Sequence, residues 1–507
     1  MSGHGAAKPE IVLRLAGITK RFGPLVANEA ISLALARGEI VGLLGENGAG
    51  KTTLMNILFG HYVADEGSIE VEGRTLPPGS PSAAIKAGIG MVHQHFTLAD
   101  NLSVLDNIVL GTEPLTRLSS NTAKARARIR ELGESFGLAI KPDAQVATLS
   151  VGERQRVEIL KALYREAKIL ILDEPTAVLT PQETASLFET LKKFAAKGLS
   201  IILISHKLGE VLAACNRVAV LRAGKLVAER PAVGTTRAEL AEIMVGRVIK
   251  PPKAEPQPAG DVLLSLKGVS ARQLDDVSLS LRAGEVTGLA GVSGNGQSLL
   301  AEVICGLLPP QRGSVSVKGN EIRAFSPRGM IALGIARIPE DRHAEGLVGD
   351  MTVTENAISE AYRSPAFSRL GLIDWPSARR FAEDIIAKYQ VKCPSPGARV
   401  RLLSGGNMQK IILGRVMANS PSIILANQPT RGLDVGAVAY VHEQLLDARK
   451  RGAAILLISE DLDELLALSD QIAVMYRGRI SAPIPRGRVN ISEIGLMMAG
   501  QGFAHAA

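Results

Sequence analysis

Nine residues, GENGAGKTT from Gly45 to Thr53, carry the side chains and spacing needed to hold a polyphosphate. Gly45, Gly48 and Gly50 let the backbone turn tightly and aim its N–H groups into one concave face, with Glu46, Asn47 and Ala49 completing the loop. Lys51 can reach the β- and γ-phosphates as a point charge, the Thr52 hydroxyl can ligate Mg2+, and Thr53 stands beside it. The stretch follows an apolar, strand-like run, EIVGLL, and leads into LMNILFG, whose apolar spacing is that of a helix. Strand, glycine loop and helix N-terminus in that order favour a nucleotide site over a glycine-rich turn with a solvated lysine. A second chemical pair, Asp173 and Glu174 in ILILDEPT, ends another apolar run, where a carboxylate can hold Mg2+ through water. The same acidic pair could instead cap a helix.

The elements that must position these groups come from a long chain. At 507 residues it exceeds one ordinary core, and 46% hydrophobic with 21% charged residues describes a globular protein of two or more domains. The 3% aromatic content argues against an RNA surface of stacking rings, and no nucleic-acid partner is expected. The net charge of +8 is spread through both halves, the pattern of a solvated surface. Cys215, Cys305 and Cys393 lack metal or disulfide spacing and read as thiols of a reducing compartment. MSGHGAAKPE has no apolar core of a signal peptide, and no run approaches the ~20 apolar residues of a membrane span, so membrane association is expected through a partner.

The chain is one domain written twice. ARGEIVGLLGENGAGKTTL recurs as RAGEVTGLAGVSGNGQSLL, pairing Gly45 with Gly291 and Gln94 with Glu340 at an offset of 246 residues (291 − 45; 340 − 94). LSVGE at Leu149 pairs with LSGGN at Leu403, Asp173 with Asn427, and His206 with Glu460, all at an offset of 254. The seam, KPPKAEPQPAG, has the prolines of an extended, poorly packed connector. Domains are expected at 10–248 and 261–501, with a linker at 249–260. Within each, apolar runs such as KILILD and SIILIS alternate with helical stretches such as QETASLFETLKKFAAKG, which predicts an α/β fold with a largely parallel sheet.

With these motifs in order, the chain resembles the ATP-binding subunits of ABC transporters over almost its whole length. The first half matches the family's P-loop (GENGAGKTT), Q-loop (Gln94), signature (LSVGE), Walker B (ILILDEPT), D-loop (AVLT) and switch histidine (His206), although Val151 replaces a signature glycine and Thr180 the usual D-loop aspartate. The resemblance implies two tandem P-loop NTPase (ABC ATPase) domains, each a RecA-like, mostly parallel sheet core with an antiparallel β subdomain and a helical subdomain. It implies ATP and Mg2+ as cofactors, Glu174 as the base that polarises the attacking water, Asp173, Thr52 and Gln94 around Mg2+, His206 on the γ-phosphate, and Phe22 stacked on adenine. His61, His93 and His95 are left as structural or surface residues.

The second half departs in one direction. Gln297 replaces the lysine, Asn427 and Gln428 the acidic pair, and no aromatic corresponds to Phe22, while Glu340 replaces the Q-loop glutamine and Glu460 the switch histidine, adding negative charge near a phosphate site. Gly291, Gly294, Gly296 and Ser298 remain, so nucleotide binding is possible there but hydrolysis is not expected. The family's head-to-tail pairing implies that the first P-loop meets Ser404, Gly405 and Gly406 of LSGGN together with Asp434. The degenerate loop then meets Ser150 and Gly152 of LSVGE together with Thr180.

Fused domains of this kind are similar to importers for simple sugars and related solutes, and NQPTRGLDVGA with IPEDR resembles the ATPases of purine-nucleoside importers. The resemblance implies a peripheral subunit at the cytoplasmic face of the cell membrane, two membrane-spanning permease subunits and, indirectly, an extracytoplasmic substrate-binding lipoprotein. The segments 95–108 and 348–358 are expected to dock the permeases. A ribose- or galactose-type importer is the alternative. A soluble tandem ATPase of ribosome or DNA is less favoured, because the linker is short and one site is incomplete.

Overall fold

The apolar runs of the first half are continuous rather than alternating because both faces of their sheet are covered. Ile40–Gly45, Ile169–Asp173 and Ser200–Ile204 are buried at every position. The computed structural model describes residues 10–93, 97–112, 122–138, 140–176, 181–205, 207–246, 252–498 and 500–503. The chain divides into two units, Met1–Ile249 and Lys250–Ala507.

Across the main sheet of the first unit the strands run Lys225–Pro231, Arg217–Arg222, Ile40–Gly45, Ser200–Ile204, Ile169–Asp173 and Ile89–Val92. All neighbours are parallel except Lys225–Pro231, which returns antiparallel at one edge. A separate antiparallel sheet is built from Leu25–Ala36, Ile11–Phe22, Glu66–Val71 and Arg74–Thr75. One hydrophobic core joins it to the main sheet through Leu54, Met55 and Leu58 of the helix Lys51–Phe59. Helices Val104–Val109, Thr122–Phe136 and Val151–Tyr164 contact one another and form the helical part.

The second unit repeats this plan. Its main sheet runs Ile335–Ile338, Ile423–Asn427, Ala454–Ser459, Val286–Ala290 and Gln471–Tyr476, with short antiparallel additions at the last strand. Leu274–Arg282, Val262–Ala271, Arg312–Val317 and Asn320–Glu321 form its antiparallel sheet. The α/β class and the mostly parallel cores follow the sequence reading. The proline-rich connector differs from it. Residues 252–260 have no regular secondary structure, yet Ala254 is buried, donates to the Ala467 carbonyl at 3.0 Å and accepts from Arg486 at 3.0 Å. Prolines remove N–H donors but leave Ala254 free to make an edge contact, so the segment is tied to the second unit.

Among the buried polar groups, Arg449 is 1% exposed and binds Asp470 through two hydrogen bonds of 3.0 and 2.7 Å. Asp470 also accepts from the Val286 amide at 2.9 Å, so one carboxylate ties the helix Val435–Lys450 to two strand starts. Arg449→Met strands that carboxylate, and the second unit is expected to lose about 3 kcal/mol. A lower thermal midpoint in calorimetry reads this out, with Asp470→Leu added to Arg449→Met recovering part of it.

Candidate functional site

The glycine loop is built by close approach. Gly50 has φ +98°, and a Cβ there would lie 2.3 Å from the Ala27 carbonyl oxygen and 2.5 Å from Asn28 Nδ2, so only glycine fits. Asn28, fully buried, donates to the Gly50 carbonyl at 3.0 Å and fixes the start of the helix Lys51–Phe59. Asn28 was missed in the sequence; beside Glu29 in the strand Leu25–Ala36 it reads as one of two polar residues on a solvated stretch. Lys51 is buried, and its ammonium donates to the carbonyls of Gly45 (2.7 Å) and Glu46 (3.0 Å), which lays it across the loop. Thr52 is exposed at the helix start, where its hydroxyl can be reached, and Thr53 is half-buried.

Asp173 ends its strand buried, and its carboxyl is pushed up to about 6, first by burial and then by Glu174, with Lys51 opposing both. A buried carboxylate short of positive charge and an exposed hydroxyl are both oxygen donors, the ligand type that Mg2+ takes. Glu174 takes a left-handed backbone, φ +48°, and its amide donates to the Ile204 carbonyl at 2.9 Å. That turn is held by Glu210, which accepts from Thr176 and from Ser205 (3.3 Å) and pairs with Lys207 at 3.2 Å. Glu464 does the same in the second unit, accepting from Thr430 (2.8 Å) and Ser459 (2.5 Å), with His442 at 2.9 Å. Neither glutamate was singled out from sequence, although both lie at the repeat's offset of 254 (464 − 210).

In the second unit Gln297 is buried, and its amide donates to the Val292 carbonyl at 2.9 Å, the place taken by Lys51 in the first. Asn427 is buried at the strand end, and Gln428 keeps the left-handed turn at φ +47° with its amide on the Ile458 carbonyl at 2.8 Å. The expectation that Glu340 adds negative charge near a phosphate site is corrected: Arg431 pairs with it and neutralises it. Glu460 does reach the loop, accepting from the Ser293 amide at 2.7 Å.

The two signature motifs differ physically. Ser150 caps the helix Val151–Tyr164 in a reciprocal box: its Oγ accepts from the Glu153 amide at 3.3 Å, and Glu153 accepts from the Ser150 amide (2.8 Å) and hydroxyl (2.9 Å). Those bonds hold the Glu153 carboxyl below its usual range, so a negative charge already occupies this helix N-terminus, beside Gly152. Ser404 makes no such cap; its Oγ accepts from Asn407 at 2.8 Å, leaving the hydroxyl proton to point elsewhere. Gly405 lies beside Arg342, whose Cζ would be 3.5 Å from a Cβ there, and Gly406 follows in the first turn. The LSVGE helix therefore begins with a carboxylate of its own, and the LSGGN helix begins without one.

Phe22 is 43% exposed at a strand end, edge-on to Tyr62 at 5.6 Å, with Lys20 Nζ 5.5 Å from its ring. It is not a core residue. Gln94, His206, Thr180, His95 and Phe96 lie outside the described residues. His61 and His93 stack at 6.1 Å, and burial holds His93 below its usual range. In the segments expected to dock partners, Val104, Ile108, Val353 and Ile358 are buried within their own units, whereas Val348 and Met351 are exposed. Among the described residues no helix is long and apolar enough to cross a membrane.

The ABC transporter family profile matches residues 28–177 and 274–431. The chain is 43% identical over 499 residues to the nucleoside import ATP-binding protein of Lactococcus lactis subsp. cremoris, covering 97% of this chain and 98% of that protein. It is 44% identical over 499 residues to the guanosine import ATP-binding protein of Bacillus subtilis, with the same coverage. It is also 44% identical over 534 residues to the glucose import ATP-binding protein of Haloferax volcanii, covering 98% of this chain and 97% of that protein. The chain belongs to the ABC transporter family, as a twin-domain ABC ATPase.

The Asp173 proton gives a test that needs no ligand. Its carboxyl moves from an ordinary 3.8 to about 6 on folding, so between those values the folded chain holds a proton that the unfolded chain has released. Stability of the metal-free first unit therefore falls as pH rises through this window, by roughly 2–3 kcal/mol, and is level above it. Urea midpoints at about pH 4.5 and about pH 7 should differ in the native chain and converge in Asp173→Asn.

Proposed function

We propose that this chain is the ATP-hydrolysing subunit of a membrane importer for nucleosides, with one competent and one degenerate ATP site. The observation that supports this most directly is that the losses are complementary. Lys51, Asp173 and Glu174 survive in the first unit, and the signature that begins without a carboxylate of its own survives in the second. Where one unit's loop lacks a cation, the other unit's signature already carries the Glu153 carboxylate.

In this reading the loop amides from Gly45 to Thr53 and the Lys51 ammonium hold the β- and γ-phosphates, and Thr52, Asp173 and Gln94 would hold Mg2+, which would neutralise phosphate charge. Ser404, Gly405 and Gly406 donate to the γ-phosphate from the second unit, Phe22 stacks on adenine, and His206 contacts the γ-phosphate. Glu174 accepts hydrogen bonding from the attacking water and orients it; its left-handed turn, pinned by the Ile204 carbonyl, fixes where the carboxylate stands. Triphosphate is the charge that both surfaces share, so hydrolysis releases them and the opening motion passes to two membrane-spanning partners at the cytoplasmic face. An extracytoplasmic substrate-binding lipoprotein delivers the solute to those partners.

Nucleoside cargo is supported by NQPTRGLDVGA and by the nucleoside and guanosine import relatives. A sugar is the second reading, because a glucose import relative is equally similar. Uptake of labelled purine nucleosides, ribose and galactose into cells with and without the subunit separates the two. Glu174→Gln should lower steady-state ATP hydrolysis at least about 100-fold and abolish uptake while ATP still binds. Unchanged hydrolysis would overturn the single-site reading, and loss of sugar uptake alone would change the cargo.

A further inference from the structure

The second glycine loop carries its own anion. Glu460, in the turn after Ala454–Ser459, accepts from the Ser293 amide at 2.7 Å, and its own amide meets Gln428 Oε1 at 3.4 Å. Ser293 holds the place of Asn47 in the repeat (293 − 47 = 246), so a carboxylate of the protein satisfies a loop amide that would otherwise face a ligand. At the same end, Gln297 turns its amide onto the Val292 carbonyl at 2.9 Å, where the first loop sets an ammonium 3.0 Å from the Glu46 carbonyl. A lysine here would reach the β- and γ-phosphates. In its stead stand a neutral amide and a fixed negative charge, both unfavourable to the terminal phosphate of a nucleotide.

The remainder of the loop is intact. Gly294, Gly296, Gln297 and Ser298 line a cavity of ≈300 Å³ that also meets Arg272 and Gln273 from the turn of the neighbouring hairpin. Arg272 is 63% exposed, and its ion pair with Glu302 is long, 3.8 Å. A guanidinium therefore lines this cavity, whose walls do not include Glu460, and can pair there with a phosphate or cover a base. The buried Asn427 removes the carboxylate that would hold a metal ion beside the third phosphate.

We propose that the second glycine loop is a metal-independent nucleoside diphosphate site from which Glu460 excludes triphosphates, with Arg272 supplying the cation that Gln297 does not. This rests on reading that loop as a phosphate site and gives it a ligand. The test is equilibrium dialysis of labelled ADP and ATP, with EDTA, against the full chain carrying Lys51→Ala to silence the first loop. ADP should bind about tenfold more tightly than ATP. Adding Glu460→Gln should raise ATP affinity about tenfold and leave ADP within about twofold, and Arg272→Ala should weaken ADP about tenfold. Glu460→His, the residue type of the first unit at this place, reads the same contrast if Glu460→Gln folds poorly. Retention of neither nucleotide, or an equal shift of both on removing the Glu460 charge, would overturn the proposal. Hydrolysis by the first loop is measured separately with Glu174→Gln, so failure here leaves that result standing.

Discussion

The site depends on strand order. Ile40–Gly45 and Ile169–Asp173 are separated in the parallel sheet by a single strand, Ser200–Ile204, so the glycine loop and the acidic pair leave the sheet at the same edge. Parallel pairing requires that shared direction, and the crossover helices cover both faces. Burial then sets the chemistry. Lys51 and Asp173 are both buried, and the raised Asp173 carboxyl records that the ammonium only partly offsets the loss of water.

Much of this was legible in the sequence, because close-packed phosphate sites leave few substitutes for glycine and lysine. Gly50 is an example: the space for its Cβ is taken by Ala27 and Asn28. The continuous apolar runs gave away buried parallel strands, and the repeat gave away the duplication. What stayed hidden was long-range partnership. Asn28 meets Gly50 across 22 residues and Glu210 meets Thr176 across 34, and neither distance leaves a local pattern. Glu340 looked like an added charge because nothing in IPEDR says that Arg431, 91 residues on, neutralises it. The connector looked loose because its prolines were visible and the docking of Ala254 was not.

The two units also show how little is needed to change a site's electrostatic character. Glu153 against Asn407 decides whether a signature helix begins with a negative charge, while the helices themselves, Val151–Tyr164 and Gly405–Ala418, have equal lengths of 14 residues. Lysine against glutamine decides whether a loop carries a cation, while both side chains reach the equivalent carbonyl. Backbone geometry is common property, and the side chains divide the roles.

The left-handed turn at Glu174 and Gln428 carries this further. Such a conformation costs a residue with a side chain on the order of 1 kcal/mol. Yet it persists at Gln428, where a neutral amide stands in place of the carboxylate, with its backbone N–H still on the neighbouring strand. The strain therefore belongs to the scaffold, to the way one strand's end is stitched to the next, and is not a device reserved for turnover. For protein engineering, the second unit already holds this turn, so an acidic pair can be restored there by exchanging Asn427 and Gln428 on a backbone that is in place.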